Sequence, residues 1–210
     1  MKKKIIVSIM CLVLILTGSM PAAASVVENE NSIMRMGERS EIPITIIKQI
    51  DGSACGLACM QMALKSFGYN RTQAQMREEG YGVNNGTYPY EIKEYMNLVL
   101  GSNTYNTKDL STTGGLGGRT FWEEIVRSIK DDKPVFCQLD TSFLPIYHGE
   151  SDMHWILANG YLIQTGSTVQ YAVIYSDPTR KDAYRGKFTV SPETLEAAIR
   201  GHSSWIVSKK

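Results

Sequence analysis

Apolar positions along this chain recur at helical spacing as far as Lys130, and from Lys133 onward they recur every second residue. An earlier, different pattern opens the chain. Residues 5–16 form an almost unbroken apolar run behind Lys2, Lys3 and Lys4, and Ala22-Ala-Ala24 follows. A basic start, a short apolar stretch and a small-x-small end make an export signal, too short to span a bilayer comfortably. Residues 1–24 are expected to be removed, and residues 25–40, polar and acid-rich without periodicity, are expected to be flexible. The folded domain is then 41–210, a size that fits one hydrophobic core.

Within that domain, Ile42-Pro-Ile-Thr-Ile-Ile47 alternates and predicts a short strand, with Pro43 placing it near an edge. A helix beginning at Cys55 is apolar nearly all round, the mark of a buried central helix, and Phe67-Gly68 ends it. Thr72 predicts a helix cap with the helix running through Glu79, and Thr87 with Pro89 predicts another through Leu98. Residues 101–118, poor in apolar pattern and holding Thr-Gly-Gly-Leu-Gly-Gly, read as a loop between lobes. Thr120-Phe-Trp-Glu123 is a capping box for a helix to about Lys130.

The second half reads as sheet. Pro134-Val-Phe-Cys-Gln-Leu139 is a strand with Cys137 in the core, and 153–163 and 169–176 are two longer strands joined by a hairpin loop at 164–167. A strand at 187–190, a helix from Ser191-Pro192-Glu193 to about Ile199 and a strand at 205–207 complete the chain. Helices first and an antiparallel sheet afterwards predict an α+β domain of two lobes with a cleft between them.

The formal net charge of +1 implies neither a nucleic acid nor an anionic membrane as partner, and no later segment is long and apolar enough for membrane insertion. Cys55, Cys59 and Cys137 survive loss of the signal, an odd number that leaves at least one thiol free. Cys55 and Cys59 sit one helical turn apart with nearly parallel Cβ directions, a poor disulfide geometry. The three histidines and three cysteines show no paired spacing for structural zinc.

The candidate chemistry lies in Gln49-Ile-Asp-Gly-Ser-Ala-Cys55-Gly56. A thiol heading a helix sits in the positive field of the peptide dipoles, which favours its thiolate form. A glutamine just upstream can donate to an oxyanion beside it. A buried structural cysteine is the alternative for Cys55 taken alone. Centring the hairpin between Thr165 and Gly166 sets His154 directly opposite Asp177, with Cβ atoms about 5 Å apart on one face. A carboxylate there fixes the imidazole tautomer and stabilises the imidazolium. His148 sits in a loop and His202 follows the last helix, and neither has such a partner.

The order Gln49, Cys55-Gly56, His154-Trp155, Asp177-Pro178 resembles a papain-like cysteine peptidase, and more closely the double-glycine, bacteriocin-processing peptidases and their stand-alone relatives. Phe67-Gly68-Tyr69, Lys133-Pro134-Val135 and Gly160-Tyr161 add to the match, which covers most of residues 42–207. The resemblance implies a two-lobed papain-like fold, with a helical lobe carrying the Cys55 helix and an antiparallel sheet lobe. It implies Cys55 as nucleophile, His154 as general base and acid, Asp177 as orienting carboxylate and Gln49 in the oxyanion hole. It implies no metal or cofactor, and a peptide or protein as substrate. The chain departs from the exporter-fused members in carrying an export signal and no transporter, and from papain in reading Cys-Gly-Leu-Ala-Cys at the nucleophile. A secreted bacterial cysteine peptidase is the expectation. A transglutaminase-like acyl transferase and a non-enzymatic binding module on the same fold are the alternatives.

Overall fold

The computed structural model of the protein describes residues 37–112 and 114–210. The expected export signal and most of the expected flexible segment lie outside the described residues. The last residues of that segment are ordered, against expectation: strand β1 (Arg39–Glu41) pairs antiparallel with β4 (Met153–Gln164), Arg39 facing Leu162 and Glu41 facing Gly160. Residues 42–47 form no strand. Ile42 and Ile44 are buried while Pro43 and Thr45 are exposed, so the alternation is real, but it seats side chains without a ladder.

Helix α1 (Cys55–Ser66) is the buried centre. Leu57, Met60, Met62 and Leu64 are fully enclosed, each contributing about 1.5–3 kcal/mol of apolar burial. Gly68 takes a φ of 84°, the left-handed conformation that stops the helix. Two further helices pack on α1. In α2 (Gln73–Glu78), Thr72 Oγ1 accepts from the Gln75 N–H, and Gln75 Oε1 accepts in return from the Thr72 N–H. Helix α3 (Pro89–Leu100) begins on proline and ends at Gly101 with a φ of 62°. The same reciprocal cap, between Thr120 and Glu123, opens α4 (Phe121–Lys130).

One antiparallel sheet forms the other lobe, in the order β2-β7-β3-β4-β5-β6 with β1 added to β4. Its further strands are β2 (Tyr105–Asp109), β3 (Val135–Asp140), β5 (Gln170–Asp177), β6 (Gly186–Val190) and β7 (Trp205–Lys209). Helix α5 (Pro192–Arg200) packs on β3 and β5, and Ser191 caps it by accepting from the Thr194 N–H. Strand β2 corrects the reading of 101–118 as loop. Its Lys108 is buried because it pairs with Glu124 of α4, a carboxylate with no exposed surface that also meets Arg119, Arg127 and Ser208. Burial would raise the pKa of Glu124, but hydrogen bonds from Arg127, Lys108 and Ser208 overcome it and hold the carboxyl near about 2. Burial lowers the pKa of Lys108 despite its single carboxylate partner, so the carboxylate is the better-stabilised charge of the cluster. Among the described residues no helix is long and apolar enough to cross a membrane.

Candidate active site

Cys55 stands at the first turn of α1, where the helix leaves its leading N–H groups without intrahelical partners. The next residue has to be small. A Cβ at Gly56 would lie 2.5 Å from Thr87 Cβ and 2.7 Å from its Oγ1. Glycine therefore lets the 84–88 loop close over the start of the helix, and the Trp155 indole N–H donates to Thr87 O at 2.9 Å to hold it there. The cleft that opens beside Cys55 is lined by this loop, by Gly52 and Ser53, and by Gln138, Met153 and Trp155 from the sheet lobe.

His154 lies on β4, nearly enclosed, and is paired through the ladder with Leu139. Its Nε2 is 2.8 Å from Asp177 Oδ1, which leaves Nδ1 free, and Cys55 is near enough for its charge to act on the ring. Burial works against a charged ring, but the Asp177 carboxylate and Cys55 outweigh it and raise the pKa of His154 to about 10. Both neighbours thus favour the charged form of the ring. Asp177 has no exposed surface, and its oxygens are filled. Oδ1 also accepts from the Thr179 N–H at 2.9 Å, and Oδ2 accepts from the Tyr147 hydroxyl at 2.7 Å.

The hairpin reaches this pairing by a different register from the expected one. Gln164 faces Gln170 across a five-residue loop, and the ladder shifts by one residue between Ala158 and Gly160. His154 and Asp177 are diagonal neighbours on one face, so the far ring nitrogen, Nε2, makes the contact.

Gln49 is buried on the loop before α1. Its N–H donates to Pro178 O at 2.9 Å, which ties this loop to the residue after Asp177. Its Nε2 donates to Asp51 O at 2.7 Å, and it is not among the residues lining the Cys55 cleft. The loop is held from beneath by α2. Gln73, 2% exposed, accepts from the Ile50 N–H and donates to Lys48 O, both at 2.9 Å. Arg77 pairs with Asp51 and, with the Ser53 bonds, keeps that carboxyl well below the usual carboxylate range.

Tyr147 and Gln73 were not singled out in the sequence. Tyr147 ends a single 3-10 turn (Pro145–Tyr147) beside His148, thirty residues from the carboxylate it meets, and no local pattern marks it. Cys59 and Cys137 are fully buried, and burial pushes both thiols well up in pKa. Cys59 instead donates to Trp155 O at 3.4 Å. Cys55, Cys59 and Cys137 are all free. His148 and His202 are both exposed.

Among known proteins, the family model described as the Peptidase_C39-like family matches residues 41–206. A search of curated protein sequences gave no match. The recombinant stem bromelain precursor superposes with a TM-score of 0.50 at 11% identity, over 80% of this chain and 67% of that one. A double glycine motif protease from an AMS/PCAT transporter, crystallised with the leader peptide, gives a TM-score of 0.49 at 12% identity, over 84% of this chain and 99% of that one. The peptidase domain of Streptococcus ComA, a bifunctional ABC transporter of a quorum-sensing pathway, gives 0.48 at 17% identity, over 80% and 97%. The family match spans both lobes and the whole stretch from Gln49 to Asp177, and on it the chain belongs to the Peptidase_C39-like family, as a cysteine-type peptidase of papain-like fold.

Proposed function

We propose that the protein hydrolyses peptide bonds through Cys55, His154 and Asp177, with Gln49 and the Cys55 N–H holding the oxyanion. The observation that carries this reading is the buried His154–Asp177 hydrogen bond at 2.8 Å, on a ring near enough to Cys55 for that group's charge to act on it. In the first step the Cys55 sulfur, its proton passed to His154, attacks the scissile carbonyl carbon and the oxygen becomes an oxyanion. The second Nε2 hydrogen of Gln49, beyond the one given to Asp51 O, and the unpartnered Cys55 N–H are the donors for that charge. His154 gives its proton to the leaving amine as the C–N bond breaks, and a thioester remains. A water then loses a proton to His154 and attacks the thioester carbon, releasing the acid and restoring the thiol. Asp177 keeps the ring oriented throughout, and nothing in the sequence calls for a metal or cofactor.

The substrate is a peptide or protein reaching the cleft between Ser53 and the 84–88 loop on one side and Met153 on the other. The basic start, apolar run and Ala22-Ala-Ala24 support action outside the cell, after loss of residues 1–24.

Alkylation with iodoacetamide, mapped by mass spectrometry, tests the pairing without a known substrate. Cys55 is expected to label alone, and at about pH 6 at least about tenfold faster than in His154→Ala. Equal rates in the two proteins would remove His154 from the assignment and leave a binding module on a peptidase fold.

A further inference from the structure

The two ends of the β4–β5 hairpin are in different registers. Near the loop, Tyr161 faces Val173 and Gly160 faces Ile174, whereas near the site Ala158 faces Tyr175 and Leu157 faces Ser176. Ile174 and Tyr175 are consecutive, so Asn159 is the one extra residue of a β-bulge. Carried one step beyond Ser176, the ladder sets Asp177 opposite Ile156, two residues from His154. An even separation keeps both side chains on one face of the sheet. Carried through without the extra residue, the loop-side register would set Asp177 opposite Leu157, three residues from His154. An odd separation puts imidazole and carboxylate on opposite faces.

Resting on the reading that His154 and Asp177 act together on Cys55, we propose that Asn159 is a positioning residue: its side chain pins the bulge, and so the register that lets these two groups meet. Asn159 is fully buried and fully engaged. Its Nδ2 donates to Ile42 O at 2.9 Å, and its own carbonyl accepts from the Ile42 N–H at 2.7 Å. Its Oδ1 accepts from Ser176 Oγ at 3.0 Å, from the residue beside Asp177. One end of the carboxamide therefore holds the segment outside β4, and the other holds β5 in register. A Cβ at Gly160 would lie 2.8 Å from Ser40 O, so glycine there lets β1 close against the bulge. No apolar side chain at position 159 can make either bond, and alanine would leave Ile42 O short of a donor in a buried setting. Asn159 touches none of the three reacting groups.

The test is the Cys55 alkylation profile across pH in wild type, His154→Ala, Asn159→Ala and Ser176→Ala, normalised to folded protein by circular dichroism. Asn159→Ala is expected to slow labelling at about pH 6 on the order of tenfold, to the His154→Ala rate, with rates converging at about pH 9 where the free thiol ionises unaided. Ser176→Ala is expected to slow it by a smaller factor. A merely structural role would lower the melting temperature and leave the folded protein's profile at the wild-type position, and that result overturns the proposal. Should Asn159→Ala fail to fold, Ser176→Ala decides: a wild-type profile overturns the proposal, a slowed one supports it. Wild type no faster than His154→Ala at about pH 6 would be a failure of the proposed function. Fast wild type with an equally fast Asn159→Ala would be a failure of the positioning role alone.

Discussion

Replacing Tyr147 by phenylalanine removes one oxygen from the most enclosed part of the site. Tyr147 is 5% exposed, and its ring is held 4.8 Å from the Tyr184 ring and 6.3 Å from that of His154, contacts that phenylalanine retains. Burial, with the Asp177 charge adding to it, pushes the phenol pKa well up, so the hydroxyl is a proton donor at every working pH. What is lost is the 2.7 Å bond to Asp177 Oδ2, while His154 and the Thr179 N–H meet Oδ1. A buried hydrogen bond to a charged group is worth about 1.5–3 kcal/mol. For a domain of this size, at about 2–4 °C per kcal/mol, that corresponds to a fall in melting temperature of about 3–12 °C. The same loosening of Asp177 is expected to lower kcat/KM by about tenfold, equivalent to about 1.4 kcal/mol in the transition state. Urea unfolding and peptide cleavage measure the two effects. In an Asp177→Asn background the hydroxyl meets a neutral partner, and its removal should cost less than half as much. A stability loss below about 0.5 kcal/mol, with cleavage unchanged, would refute the reasoning, because that is the worth of a hydroxyl which water can replace.

Other consequences follow from single contacts. Gly56→Ala forces a Cβ to within 2.5 Å of Thr87 Cβ and should cost about 1–3 kcal/mol in urea unfolding while reducing cleavage, by displacing the loop that Trp155 holds. Glu124, held near about 2 against an ordinary value of 4.5, contributes about 3 kcal/mol that is fully present above pH 4.5 and lost as pH falls toward about 2. Acid unfolding followed by fluorescence should show this loss, and Glu124→Gln should flatten it. His154 has the opposite sign. With its folded pKa raised to about 10 from 6.5, its contribution is complete below pH 6.5 and is lost between there and pH 10. The stability gap between wild type and His154→Gln, read by urea midpoints, should therefore narrow across that window; a gap that widens would contradict the assignment.

The helices were legible in the sequence because their ends carry their own chemistry. Thr72, Thr120 and Ser191 each cap the helix expected of them, and the Cys55 helix, apolar nearly all round, is indeed the buried centre. Strand β2 was hidden because one of its buried positions is a lysine, acceptable only beside a glutamate on a distant helix. Residues 42–47 misled in the other direction: their alternation reflects burial of Ile42 and Ile44, but Ile42 bonds with Asn159 at the bulge in place of joining a ladder.

The hairpin shows most plainly where the limit lies. Placing His154 opposite Asp177 picked two residues that do hydrogen-bond, but through the wrong register. The actual loop, 165–169, is centred on Ser167 and not between Thr165 and Gly166, which moves the pairing by three positions, and the extra residue at Asn159 takes back one. The two departures together shift the pairing by two, which preserves the face. Tyr147 and Gln73 act across long separations in sequence, through contacts that no periodicity encodes.

Cleavage itself is the most direct test of the central claim. A diverse peptide mixture incubated with the folded protein, with Cys55→Ala and with His154→Ala should yield new termini, identified by mass spectrometry, with wild type alone. Both variants should keep the wild-type circular dichroism spectrum. Cleavage that persists in Cys55→Ala would contradict the account, since no other thiol of the described chain is both accessible to substrate and paired with an imidazole.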